Sequence, residues 1–91
     1  MAMLMTRVHV DDYETWKSMF DEGRSTVRER AKGHRVCRAV EDPNELFVSV
    51  EFDSVEDAKE ARERLIASGA LERVAVANGP TIAEEAESLS Y

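Results

Sequence analysis

The chain has 91 residues, enough for one hydrophobic core and too few for two, and its 43% apolar and 34% charged content is that of a globular domain. The net charge of −7 falls unevenly: residues 1–40 carry eight Lys/Arg against six Asp/Glu, and residues 41–91 carry four against thirteen, so the basic stripe that DNA or RNA binding requires is missing. Cys37 is the only cysteine, which excludes an internal disulfide and a Cys-rich zinc site and suits a reducing, cytoplasmic setting, and the opening MAMLMTRVHV supports neither a signal peptide nor a membrane span.

Met3 to Val10 alternates, with Leu4, Thr6, Val8 and Val10 on one side and Met3, Met5, Arg7 and His9 on the other, the period of a first strand. Asp11 with Glu14 has the form of a capping box. After it Tyr13, Trp16, Met19, Phe20, Val27 and Ala31 recur at helical spacing, which predicts a helix that stops at Gly33, with Gly23 as a kink. Two β-rich segments follow, Arg35 to Val40 and Leu46 to Phe52, on either side of the turn-forming Glu41-Asp42-Pro43-Asn44-Glu45.

Asp53 and Ser54 can cap a second helix whose apolar side is Val55, Ala58, Ala61 and Leu65, with Ile66 at its margin and Gly69 as its end. A short third helix is expected over residues 71–77. It should be broken by Asn78-Gly79-Pro80, with a last strand beginning at Thr81 and an acidic tail over 84–91.

This order is the split strand-helix-strand pattern of a ferredoxin-like α+β domain. It predicts a four-stranded antiparallel sheet with two main helices and a short third, spanning residues 1–91 with a core over about 3–83. A right-handed crossover is expected to set the third strand beside and parallel to the first. A core this small gains from burying a sheet face on a second subunit, so a homodimer is expected.

Asp12-Tyr13-Glu14-Thr15-Trp16-Lys17, Phe20-Asp21, Glu41-Asp42-Pro43-Asn44-Glu45-Leu46 and Glu51-Phe52-Asp53-Ser54 resemble segments of the dimeric α/β-barrel superfamily, among its antibiotic-biosynthesis monooxygenases and small polyketide cyclases. The resemblance covers roughly Thr6 to Ile82. It implies a cofactor-free protein acting on an aromatic or polyketide-like small molecule: a cyclase or isomerase first, a cofactor-independent monooxygenase second, or a non-catalytic ligand-binding or partner-stabilising dimer. The Trp, Asn and His set used by the family's oxygenases and haem-degrading members has no residue-by-residue match here.

Strand phasing gathers Arg7, His9, Arg35, Cys37, Phe47, Ser49 and Glu51 on one sheet face. It expects Cys37 opposite Ser49, Arg35 opposite Glu51, Arg7 beside Ser49 and His9 beside Glu51. On that reading His9 and Glu51 form a general acid/base pair, Arg35 stabilises a developing oxyanion, and Arg7, Cys37 and Ser49 contact substrate. The same opposite charges would also satisfy a merely structural dimer interface.

The other face carries Val8, Val10, Val36, Val48, Val50 and Phe52 under the helices, with Arg38 as its polar exception. The resemblance implies a pocket on that side, between sheet and helices, lined by Tyr13, Trp16, Phe20, Val36 and Phe52 with Arg38 as anchor. Trp and Phe at helical spacing equally suit a packed core. His34 reads as a loop residue and Cys37 as a small hydrophobe, and the two histidines lack metal-ligand spacing. Arg24 and Arg28, near Asp21 and Glu22, read as a solvated helix face.

Overall fold

A computed structural model describes residues 1–91. The chain runs β1 (Ala2–His9), α1 (Tyr13–Glu22), a 3-10 turn (Gly23–Ser25), β2 (Gly33–Arg38), β3 (Glu45–Phe52), α2 (Val55–Ala67), a second 3-10 turn (Ala70–Arg73) and β4 (Ala75–Glu84). The four strands form one sheet in the order β2-β3-β1-β4, with every neighbouring pair antiparallel. This is the ferredoxin-like α+β architecture expected.

The pairing of β3 with β1 corrects the parallel arrangement anticipated for it. A crossover through α1 returns β2 parallel to β1, and the hairpin then reverses the chain into β3, so the strand that actually neighbours β1 runs against it. The hairpin register also differs from expectation by two residues: Cys37 faces Phe47 and Arg35 faces Ser49. A shift of two keeps every side chain on its own face.

The N-cap of α1 is Asp12 rather than Asp11: its carboxylate accepts the Thr15 N–H at 3.0 Å and the Thr15 hydroxyl at 2.6 Å. Those bonds, the Thr15 hydroxyl first, hold the Asp12 carboxyl below its usual range. The helix ends at Gly23, ten residues before the expected stop at Gly33. Past Phe20 the segment Gly-Arg-Ser-Thr favours local turns over helix, and the chain closes a 3-10 turn instead.

Ser54 caps α2 by accepting the Asp57 N–H at 3.1 Å. Ala58 and Ala61 present the buried side of α2, small enough to bring it close to the sheet, while Ile66 is exposed. The expected third helix shrinks to the Ala70–Arg73 turn, and Asn78-Gly79-Pro80 lies inside β4 rather than before it. The register of β4 against β1 shifts on both sides of Arg7, and Gly79 at φ +87° passes so close to Met5 that a Cβ would sit 2.4 Å from its carbonyl oxygen.

Even-numbered residues of β1 and β3 build the core. Leu4, Val8, Leu46, Val48, Val50 and Phe52 are buried with Val10, Trp16, Ala58 and Ala61, and Phe52 and Leu46 are fully enclosed. The odd-numbered face is open, with Met5 and Phe47 exposed on it. No helix is long and apolar enough to cross a membrane.

Candidate functional site

On the open face the side chains fall into cross-strand rows. His9 pairs with Glu45; Arg7, Phe47 and Cys37 share the next row; Met5, Ser49 and Arg35 the next; and Met3, Glu51 and Gly33 the last. The phasing therefore put the right residues on this face but in the wrong order along it. Glu51 lies six positions along β3 from the residue opposite His9, roughly 20 Å at about 3.3 Å per residue, so a single chain does not bring His9 and Glu51 together. Arg7 neighbours Phe47 instead of Ser49, placing its guanidinium 5.2 Å from the ring centroid, and pairs with Glu45 at 2.5 Å.

His9 Nε2 meets Asp42 Oδ2 at 3.1 Å. His9, Asp42 and Glu45 offer ligand atoms within 4.8 Å of one another, the one cluster with the donor types for a cation, yet Arg7 already occupies Glu45. Asn44 ties this end of the sheet together, its carbonyl accepting the Val10 N–H at 2.9 Å. Arg38 lies over the Tyr13 ring at 4.1 Å and donates to the Pro43 carbonyl at 2.9 Å, an exposed clasp between α1 and the hairpin turn.

The concave site lies on the other side, between the sheet and the underside of α1. A cavity of about 340 Å³ is floored by Leu4, Thr6, Val8, Val48 and Val50 and walled by Trp16, Met19 and Phe20 of α1. Leu65, Leu71 and Val74 close its far side. That volume is within the range of small-molecule sites, and the mostly apolar wall is typical of them. Of the lining anticipated on this side, Trp16 and Phe20 take part. Tyr13, Val36, Phe52 and Arg38 do not: Phe52 is sealed in the core and Arg38 is held by its clasp.

An aromatic stack organises the wall. Trp16 and Phe20, one helical turn apart, stack at 4.9 Å and 22°, and His34 meets Phe20 edge-on at 5.0 Å. The His34 imidazole is held below its ordinary value, by desolvation first and then by Arg28 and Lys17.

Arg28 is the residue that sequence reasoning misplaced. Expected on a solvated helix face, it is 7% exposed, the one buried charged side chain. Its guanidinium lies 3.5 Å over the Phe20 ring and donates to the Phe20 carbonyl. Because α1 stops at Gly23, Arg28 no longer stands one helical turn from Arg24, and its segment folds back on the Gly23 carbonyl.

That segment is pinned from outside by Arg64 of α2, which donates to the Thr26 carbonyl at 2.9 Å, to Glu29 at 2.8 Å and to Glu60 at 2.5 Å, and by Arg30 on Asp57 at 3.2 Å. Arg73, exposed, reaches Met19 Sδ at 3.8 Å. The ionisable side chains of the lining are thus Glu22, Arg28 and Arg73.

No family model and no curated protein sequence matches the chain. Among solved structures it is similar to a Bordetella bronchiseptica protein described as a candidate antibiotic biosynthesis monooxygenase, at 17% identity and a TM-score of 0.65, over 97% of each chain. A Chloroflexus aurantiacus protein described in the same terms matches at 13% identity and a TM-score of 0.62, covering 99% of this chain and 95% of that one. End to end, the chain has the ferredoxin-like fold of these proteins. The resemblance drawn from its sequence segments is to the same group.

Proposed function

We propose that the chain takes an aromatic, polyketide-like molecule into the cavity beneath α1 and oxygenates it; its structural neighbours are described as candidate antibiotic biosynthesis monooxygenases, which supports the oxygenase part of this reading. The observation that carries this reading is the cavity itself: about 340 Å³, mostly apolar, and walled in part by the aromatic side chains Trp16 and Phe20, a size and polarity that suit a flat ring system. Cyclisation by a His9–Glu51 pair has lost its geometric basis in the single chain.

Two copies are proposed to pair through the open sheet faces. These carry exposed Met5 and Phe47 amid both signs of charge, so a two-fold arrangement can oppose Arg35 or Arg7 to Glu51.

Anthrone, a tricyclic ketone with one reactive methylene, tests the oxygenase reading. One oxygen atom of O2 would become the new carbonyl, and the other would leave as water with both methylene hydrogens. Oxygen uptake that saturates with anthrone, equals the quinone formed and falls when Thr6→Phe fills the cavity supports the reading. Uptake no faster than without protein sinks it. The lining holds no His, Cys or Tyr, which favours a second reading as a ligand-binding module. Quenching of Trp16 fluorescence by anthraquinone without any turnover would select that one.

A further inference from the structure

Arg28 is an unusual residue to find in the wall of an apolar cavity. A guanidinium carries five N–H donors and an undischargeable positive charge, and burying such a group without a counter-ion is costly. Its one hydrogen bond within the chain is to the Phe20 carbonyl, and that carbonyl already accepts the Gly23 N–H that ends α1. The bond is therefore surplus to the backbone's needs.

No carboxylate pairs with Arg28, and its nearby candidates are spoken for. Asp21, whose field reaches it, is bound by Lys17 at 2.5 Å, while Glu29 and Glu60 are bound by Arg64. Glu22, also in the lining, makes no ion pair with it. No fully buried side-chain nitrogen or oxygen lacks a partner, so the unused donors of Arg28 are the ones that still reach accessible space, beside the cavity it borders. With Arg73 as a second cation and Glu22 as the single carboxylate, the ionisable side chains of the lining carry one net positive charge.

We infer that the molecule bound in this cavity carries an oxyanion, a carboxylate or phenolate on its aromatic frame, and that Arg28 is the residue that pairs with it. The inference rests on the cavity being the ligand site and deepens it: the ring system packs against the apolar floor of Leu4, Val8, Val48 and Val50 beside the Trp16–Phe20 stack, and the anionic oxygen takes the free edge of the guanidinium. A charge-assisted pair on a mostly apolar wall is strong and directional, and Arg offers a planar fork that Lys does not.

The test compares 2-naphthoate with its uncharged isostere 2-naphthamide by calorimetric titration at pH 7.5. The wild-type chain should bind naphthoate about tenfold or more tightly than naphthamide, a difference that vanishes in Arg28→Met and survives in part in Arg28→Lys. Equal affinities in the wild type would overturn the inference and leave the cavity reading standing, and so would a carboxylate preference that persists in a folded Arg28→Met. If neither probe binds, the cavity reading falls and the inference with it. The wild-type comparison stands even if a variant fails to fold.

Discussion

Arg28→Met separates a residue kept for a ligand from one kept for the fold. The substitution removes a charge-assisted hydrogen bond to a carbonyl, about 1.5–3 kcal/mol, and a cation–π contact with Phe20 of up to about 2 kcal/mol. Against this it relieves the desolvation of a 7% exposed guanidinium that lacks a carboxylate, a penalty of several kcal/mol, and leaves an unbranched apolar side chain of similar reach on the same wall. The Phe20 carbonyl keeps its bond from Gly23.

The opposing terms are of similar size, so the stability should change by less than about 2 kcal/mol in either direction, a melting-temperature shift of roughly 4–8 °C per kcal/mol for a domain of this length. Urea denaturation followed by Trp16 fluorescence measures it, with an unchanged m-value as the check on two-state behaviour. A loss of more than about 2 kcal/mol would refute the reasoning and make Arg28 a structural residue. Arg64→Met is the contrast. It removes the two hydrogen bonds that pin the same segment to α2, at the Thr26 carbonyl and Glu29, along with a bond to Glu60 within the helix, and it should lower the midpoint.

Three further outcomes are expected. Folded His34 binds its proton less readily than the unfolded chain does, so the unfolded state takes up the extra proton as pH falls through the imidazole range near 6.5; stability should decline there, and His34→Gln should flatten that part of a melting-temperature profile. Gly79→Ala meets both a positive φ and the Met5 carbonyl, which should cost at least about 2 kcal/mol and speed hydrogen exchange along β4; an unaltered melting temperature would contradict the close approach. Light scattering on a sizing column should give twice the chain mass for the wild type and the chain mass for Phe47→Asp, and a monomeric wild type at tens of micromolar would refute pairing through the open face.

What was legible in the sequence follows from which signals are local. Period-two alternation through Met3–Val10 and Leu46–Phe52 fixes which side chains share a face whatever the register, so the valine side and the ionisable side were both readable. The order of residues along a face depends on strand direction and hairpin length, and an error in either moves a pair such as His9 and Glu51 by the length of a strand without changing its face.

Val27 and Ala31 continue the spacing of Tyr13 and Trp16 by coincidence, which hid the early end of α1 and with it the inward turn of Arg28. Ala75 to Pro80 has little intrinsic preference for strand, and it is pairing with β1 that makes it one. The cavity assembles from β1, β3, α1, α2 and the turns beside them, so no single stretch of sequence announces it.

The irregular path of β4 has a bearing on how copies of this chain can associate. β4 is an outer strand, and an outer strand with a continuous row of free N–H and C=O groups invites another chain to add on, the route to fibrils. Here Pro80 has no N–H to offer, and the shifted register around Arg7 bends the border away from a straight template. Sideways growth is obstructed along this border, in keeping with the proposal that copies meet through the broad surface bearing Met5 and Phe47 and so close into a finite assembly.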